Sequence, residues 1–320
     1  MTRARELSLD DIEALAVGAW ILGTGGGGSP YLGLLNMRRL YAEGHRVALM
    51  EEHRGVAFRA VMALEIGGGN SIQPLMAAAH LNKPVVDADM MGRAYPEAQM
   101  TSVAVGDLRP YPLTTVDCRG LESIVDKVPS WKWMERVSRK ICVEYGSIAS
   151  TCKAPRSGRE VKDWAIHGTT TKAIAIGHAV REAQARHSDP VAAILSVEPG
   201  KVLFRGKVVD VDRRTTEGFL RGTARFAGID DDRGSNVVLD FQNEWIVAWR
   251  DGEPAATSPD LICVLDSVAG EAVGTETIRY GQRVTVIALP PPPVFATEKG
   301  LRHVGPRAFG YDIDYRPVFG

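Results

Sequence analysis

The chain has 320 residues, 45% of them hydrophobic and 24% charged, which is an ordinary composition for a globular protein of about two domains. Its 38 Lys and Arg residues nearly balance 39 Asp and Glu residues, so the net charge of −1 gives no basic surface for nucleic acid or an anionic membrane. The four cysteines lack C-x-x-C spacing, which argues against a disulfide scaffold and against a cysteine-bound zinc site. Because no apolar run is long enough to span a bilayer or to form a signal peptide, we expect a cytoplasmic protein.

The N-terminal residues predict a helix that leads into a glycine-rich loop. Ser8 and Asp11 are typical of a capped helix start, and the apolar residues that follow have helical spacing, so a helix is predicted over 9–22. The elements expected next are a glycine-rich loop at 23–30, a helix beginning near Pro30 and a short strand over 47–50.

The next segment has the pattern of a strand, a glycine loop, a helix and a second strand. Apolar runs at 61–66 and 84–88 enclose a glycine-rich turn at 67–71 and a helical stretch that ends near Leu81. This order predicts two parallel strands joined by a right-handed crossover. Ligands usually bind at the carboxyl ends of such strands, which makes the loop that follows residue 88 a candidate site.

Near residue 189 the sequence pattern changes from one typical of helices to one typical of β-strands. Helices are predicted over 131–145 and 159–187, and the prolines at 290–293 should end the last strand. The expected domains are an α/β domain with glycine-rich loops at 1–189, a β-rich domain at 190–290 and a tail at 291–320 that packs back on the first domain. The predicted strands lie at 192–197, 201–211, 217–226, 236–248, 261–265 and 283–289.

The first glycine loop has the spacing of a dinucleotide-binding motif. Gly23, Gly25 and Gly28 match that pattern, but a dinucleotide loop follows a strand and this loop follows a predicted helix. No nucleotide cofactor is therefore expected. Two interpretations remain open: a flexible turn between two helices, or backbone N–H groups that bind a polar ligand. The candidate ligand-binding glycines are Gly25, Gly26, Gly27 and Gly28.

Three carboxylates follow the ends of the two predicted parallel strands. Glu65 ends the first strand, and strand alternation would put Asp87 and Asp89 on one side of the second. Carboxylates held together need a cation, a shared proton or nearby donors such as Asn70 and Arg93. They indicate a catalytic or metal site. The alternative is a structural network in which the aspartates cap a turn and Arg93 pairs with Glu97.

The histidines are scattered and contain no metal-binding spacing, so a metal site would have to combine distant segments. His167 stands beside a turn of small and hydroxylated residues, which makes it a candidate ligand or catalytic residue. Cys142 and Cys152 are expected to be core thiols.

Several segments resemble the S-methyl thiohydantoin desulfurase family, which is related to hydantoinase and oxoprolinase-like proteins. The resemblance implies an N-terminal α/β domain, a β-rich C-terminal domain, hydrolysis at an imidazolone or thiohydantoin ring, and zinc dependence in at least one member. Two features differ: His167 stands where many members have proline, and the stretch between Met50 and Val61 is shorter than usual. The segments that carry the resemblance are 22–31, 65–71, 86–97, 241–244, 259–262 and 305–312.

The resemblance and the carboxylates together predict a hydrolase of a small cyclic amide: a hydantoin, thiohydantoin or S-methyl thiohydantoin ring. Arg93 would pair with a substrate carboxylate, and Asp87 or Asp89 would activate water, alone or through a divalent metal such as zinc. For that metal we expect Asp89 and His167 as ligands. The alternative is a noncatalytic subunit or sensor that binds a similar metabolite. A homo-oligomer with a small-molecule substrate is expected, with no nucleic acid and no membrane partner.

Overall fold

The computed structural model describes residues 5–30, 33, 35, 57–117 and 119–319. The predicted strand at 47–50, and most of the short stretch after Met50, lie outside these ranges. No helix in the described ranges is long and apolar enough to cross a membrane.

Eight α-helices are described in these ranges. The first begins as predicted, because Ser8 and Asp11 form a reciprocal capping box. The helices are α1 (Leu9–Leu22), α2 (Gln73–Leu81), α3 (Ser102–Val105), α4 (Trp131–Glu144), α5 (Gly158–Trp164), α6 (Thr169–Ala185), α7 (Pro190–Val197) and α8 (Glu298–Val304).

Twelve strands are described in three antiparallel sheets. Five are short and precede the long strands of the C-terminal region: β1 (Ala88–Asp89), β2 (Leu113–Val116), β3 (Glu122–Val125), β4 (Ser150–Cys152) and β5 (Ile166–His167). The other seven are β6 (Lys201–Thr216), β7 (Phe219–Gly228), β8 (Asn236–Gln242), β9 (Glu244–Arg250), β10 (Glu253–Thr257), β11 (Leu261–Asp266) and β12 (Arg283–Leu289).

The C-terminal region is mostly β. Its seven-stranded sheet has the order β10-β9-β8-β7-β6-β12-β11, and the sheet curls so that β11 also contacts β9. A core of aromatic and aliphatic residues, including Phe204, Phe226 and Trp245, fills one side of the sheet. A second core joins α1, α6 and α7 to the opposite faces of β11 and β12.

Several sequence predictions need correction. The predicted parallel strands at 61–66 and 84–88 reduce to one parallel bridge between Val61 and Val85, because the chain bends at Leu64, before it reaches the glycines, and no ladder extends. The segment 192–197 is helical rather than a strand, because Asp189 caps two backbone N–H groups and Pro190 starts the helix.

Two predicted elements are each divided in two. The helix expected over 159–187 is interrupted by β5 and by Gly168, which has a φ of 76°. The strand expected over 236–248 is a hairpin, because Asn243, with a φ of 58°, forms the turn between β8 and β9. A positive φ ends regular structure at both positions, and the periodicity of the flanking residues does not reveal it.

The C-terminal segment packs against the first half of the chain. Phe295 and Val304 join Met91 and Tyr95 in a small apolar cluster, and the rings of Tyr95 and Phe295 meet edge to face at 5.4 Å. The loop after β1 is therefore covered by residues that are about 200 positions away in the sequence.

Helices α1 and α6 approach each other through a reciprocal pair of glycines. A Cβ atom on Gly18 would overlap the carbonyl oxygen of Ala173, and one on Gly177 would overlap that of Ala14. The two backbones can approach this closely only without those side chains.

We expect Gly177→Ala to lower the free energy of unfolding by about 1–3 kcal/mol, because the added methyl group forces the helices apart. Gly158→Ala is the control. That glycine lies in α5 with open space around it, so its change should stay within about 0.5 kcal/mol. Urea unfolding measures the free energy of unfolding of both variants. Equal stability of the two variants would contradict the packing argument.

Candidate functional site

The two glycine-rich loops interlock through their backbones. Gly69 N–H donates to the carbonyl oxygen of Gly28 at 3.0 Å. A Cβ atom on Gly27 would overlap the carbonyl oxygen of Gly67, and one on Gly68 would overlap that of Gly28. Close backbone contact therefore explains why glycine occupies these positions, whether or not a ligand also binds there.

The first glycine loop also packs against the β8–β9 hairpin. Trp245 N–H donates to the carbonyl oxygen of Thr24 at 2.8 Å. A Cβ atom on Gly25 would lie 2.5 Å from Trp245 Nε1, and one on Gly26 would overlap the Glu244 carboxyl group. This loop follows a helix, as predicted, and its glycines make room for two side chains of the hairpin.

Arg93 joins the two halves of the chain at this point. It is fully buried, and each of its five N–H groups has an acceptor within the protein. Its pairing with a substrate carboxylate stays a prediction, and here it would require one of these bonds to break. The acceptors are the carbonyl oxygens of Ala94 (3.2 Å), Pro259 (3.3 Å), Asp260 (2.8 Å) and Trp245 (3.1 Å), and Thr24 Oγ1 (2.9 Å).

Glu65 lies at the centre of a buried acidic cluster. Its side chain accepts hydrogen bonds from Asn70 Nδ2 at 2.5 Å and from Tyr95 N–H at 3.1 Å. Burial raises the pKa of Glu65 to about 7, although both hydrogen bonds and the positive charge of Lys153 act to lower it. At neutral pH this carboxyl group can either accept or release a proton.

Asp89 is fully buried beside Glu65. Gly92 N–H donates to its two oxygens at 3.0 and 2.8 Å, and Ile66 N–H donates at 2.8 Å. Burial raises the pKa of Asp89 to about 7, and the negative charge of Glu65 adds to the rise. Asp89 thus ties the two sides of the loop together.

Glu244 is the third member of the cluster, and the sequence analysis assigned it no role. It is 2% exposed, and its Oε2 atom has no hydrogen-bond partner among the described residues. Burial raises the pKa of Glu244 well above its usual range, and the charge of Glu65 adds to the effect. Its position at the start of an apolar strand, directly after the turn residue Asn243, is the signal that could have revealed it.

Lys153 was also missed. Burial lowers the pKa of this amine, while the negative charges of Glu135 and Glu65 oppose that shift. Its own charge in turn lowers the pKa of Glu65, so the ammonium group lies within electrostatic range of the cluster. We call Glu65, Asp89 and Glu244 the acidic cluster, with Lys153 as its cationic neighbour.

Asp87 lies outside the acidic cluster. Its exposed carboxylate accepts from Thr171 N–H at 3.1 Å and from Thr171 Oγ1 at 2.6 Å, in the first turn of α6. Because β1 contains only Ala88 and Asp89, strand alternation does not extend to Asp87 and does not bring the two aspartates together.

His167 does not share a ligand position with Asp89. Its exposed ring has Nε2 3.2 Å from the carbonyl oxygen of Lys162, whereas Asp89 uses both oxygens to accept backbone N–H groups. These two side chains do not fit a common zinc ion as they are placed. Within the described ranges no group of three or more His, Cys, Asp or Glu side chains could hold a metal ion, and metal assistance stays a prediction.

Glu97 links the loop after β1 to the hairpin. It accepts from Gln99 Nε2 at 2.6 Å and from Gln242 Nε2 at 3.2 Å. Arg93 does not pair with it, so that part of the structural alternative is wrong, whereas Asp89 accepts a hydrogen bond from the N–H group of Gly92 in its turn, as that alternative expects. Glu97 is thus held by amide side chains from both halves of the chain.

Comparison with known families divides the chain near residue 128. The family model described as "S-Me-THD-like, C-terminal domain" matches residues 129–318, and "S-Me-THD-like, N-terminal domain" matches residues 10–53 and 45–127. The chain belongs to the S-Me-THD-like family. This confirms the resemblance to S-methyl thiohydantoin desulfurases. The domain boundary predicted at residue 189 stays a prediction.

A solved structure has the same fold. The X-ray crystal structure of a protein from Chromobacterium violaceum is similar with a TM-score of 0.79 and 21% identity, covering 98% of this chain and 100% of that one. Its title assigns no activity, and no curated protein matches. At this identity the likeness concerns the fold alone.

The raised pKa of Glu65 predicts how stability depends on pH. The folded carboxyl group keeps its proton up to a pKa of about 7, whereas the unfolded one loses it near 4.5. Between these values the native state binds more protons, so raising the pH favours unfolding, by up to about 1.4 kcal/mol per pH unit. Glu65→Gln should flatten the slope of unfolding free energy against pH.

Urea unfolding between pH 4.5 and 7.5 measures this slope. Glu253→Gln, which removes an exposed carboxyl group, is the control and should keep the slope of the unmodified protein. Equal slopes for Glu65→Gln and the unmodified protein would contradict the assignment.

Arg93→Lys should lower the free energy of unfolding by about 2–5 kcal/mol. An ammonium group has three donors, so at least two of the five buried acceptors lose their partner, at a cost of about 1–3 kcal/mol each. Arg225→Lys, at an exposed position on β7, should change stability by less than about 0.5 kcal/mol. If thermal or urea unfolding gave both variants the same stability, the proposed role of Arg93 would be wrong.

Proposed function

We propose that this chain is a hydrolase of a small cyclic amide of the thiohydantoin type, and that Glu65 and Glu244 transfer the protons. The supporting observation is the buried pair itself: Glu65 has a pKa of about 7, and it lies near Glu244, whose Oε2 has no partner among the described residues. Membership of the S-Me-THD-like family supports the substrate class.

The chemistry explains why two carboxyl groups would be needed. In an S-methyl thiohydantoin the carbon between the two ring nitrogens is doubly bonded to one of them and is a poor electrophile, because the other nitrogen and the sulfur donate electrons into it. A base must take a proton from the attacking water, and an acid must protonate the ring nitrogen or the leaving sulfur. The C–O bond forms, the C–S bond breaks, and methanethiol leaves with one proton, so that substrate and water give hydantoin and methanethiol.

The pKa shifts divide these roles between the two residues. Glu65 is partly ionised at neutral pH and is the base, and Asn70 Nδ2 and Tyr95 N–H hold its oxygens in place. Burial raises the pKa of Glu244 well above its usual range and favours its protonated form, so we assign it the role of the acid, acting through Oε2. Environments that separate the pKa values of two neighbouring acids are typical of acid–base pairs.

Lys153 and Asp89 have supporting roles in this proposal. Lys153 keeps part of Glu65 ionised by lowering its pKa. Asp89 fixes the loop through Ile66 and Gly92, and its negative charge would disfavour ionisation of its neighbours. Asp89 as the water-activating group remains a competing assignment, and the same experiment tests it.

A noncatalytic subunit or sensor is the second candidate. It is favoured by the complete use of the Arg93 donors, since a residue so occupied is suited to holding a structure rather than to following a reacting substrate. Such a protein would bind a thiohydantoin with saturation and would release no product.

The test measures methanethiol released from S-methyl thiohydantoins with a thiol-reactive dye. We expect Glu65→Gln and Glu244→Gln to lower turnover by about 100-fold or more, because each removes a proton-transfer group. Asp87→Asn is the matched control and should keep its rate, since Asp87 contacts Thr171 outside the cluster. Turnover should rise with pH through about 7 as Glu65 ionises.

Three results would redirect the proposal. Full activity in both glutamine variants would refute the acid–base pair. Loss of activity only in Asp89→Asn would assign the base role to Asp89. Saturable binding without turnover by the unmodified protein would favour the sensor.

A further inference from the structure

The C-terminal sheet carries a cleft that the proposed reaction does not use. Its volume is about 400 Å³, within the range typical of small-molecule sites. Its floor is one face of β6, β7 and β8, and residues of the C-terminal tail form one wall. The register confirms the shared face, because Arg214 opposes Arg221 and Thr223 opposes Asp240 across neighbouring strands.

Two arginines face each other directly on this floor. Like charges at opposed positions of an antiparallel pair destabilise a sheet. Arg214 is partly neutralised by Asp212, at 3.2 Å. The side chain of Arg221 has no hydrogen bond and no ion pair with any described residue. Its guanidinium group lies 5.5 Å from the centre of the Phe219 ring. A planar cation with five unused donors is therefore available in the cleft.

Two carboxylates, Asp212 and Asp240, also line the cleft, but neither forms an ion pair or a hydrogen bond with the Arg221 side chain in the described structure. Asp240 accepts a hydrogen bond from Trp249 Nε1 at 2.8 Å. The burial of Tyr311, together with the negative charge of Asp240, raises the pKa of this phenol, so Tyr311 stays neutral at physiological pH. The remaining wall is apolar where Ile246 and Phe309 line it, whereas the ring of Phe241 packs on the opposite face of the sheet against Trp245.

We propose that this cleft binds a small carboxylate with an apolar or aromatic body. The carboxylate would pair with the fork of Arg221 and relieve its repulsion with Arg214, and the body would pack against Phe309 and Tyr311 of the C-terminal tail. This site is independent of the proposed reaction. It lies beside the acidic cluster, because Gln242 lines the cleft and pairs with Glu244 across the turn between β8 and β9.

The test compares phenylacetate with phenylacetamide, which has the same shape and no charge. Isothermal titration calorimetry should show phenylacetate binding about tenfold or more tightly, because a charge-assisted pair replaces a neutral one. Arg221→Gln should remove this preference. Arg225→Gln, on the same strand but outside the cleft, should retain it, since Arg225 faces Asp210.

Arg221→Lys provides a second variant if the glutamine change impairs folding, which thermal unfolding will show. It keeps the charge and loses the planar fork, so phenylacetate should bind more weakly while phenylacetamide is unchanged. Equal affinity of the unmodified protein for the two compounds, no detectable binding of phenylacetate, or an unchanged preference in Arg221→Gln would overturn the proposal. Because the readout is binding, it is separate from the turnover test of Glu65 and Glu244.

Discussion

The guanidinium group of Arg93 is the interaction on which the arrangement of this protein depends. A buried arginine is costly unless all its donors are satisfied, and here its acceptors come from the first glycine loop, from β9 and from the segment before β11. Three segments far apart in the sequence must therefore meet at one point. The ring of Tyr95, 4.6 Å from the guanidinium carbon, completes its surroundings.

The close meeting of these segments explains the glycines and the acidic cluster together. Where Gly25 and Gly26 contact the hairpin there is no room for a Cβ atom, so Glu244 and Trp245 can lie directly on the loop backbone. The same close packing removes water from Glu65 and Glu244, and loss of water is the largest cause of their raised pKa values. Fold and acidity thus have one physical origin.

Local sequence patterns were sufficient to predict a helix or strand wherever that element depends only on neighbouring residues. The capping box at Ser8 begins α1 where predicted, α4 spans nearly the predicted range, and the strands β6, β11 and β12 follow their β-branched runs. They failed where one residue with a positive φ, such as Asn243 or Gly168, divides a periodic segment. Parallel pairing at 61–66 also failed, because a periodic apolar run does not reveal whether a partner strand continues beside it.

The sequence by itself determined the composition class, the β-rich second half and the family, and it singled out Glu65, Asp89 and Arg93 as candidate residues, because these depend on residue type and short-range spacing. Only the tertiary structure decided which of these side chains meet. In the structure Asp87 and His167 lie apart from Asp89. Glu244 and Lys153 lie close to Glu65, and Arg93 donates to backbone carbonyl groups. Burial and electrostatic coupling arise between residues that are distant in the chain, so no local pattern in the sequence encodes them.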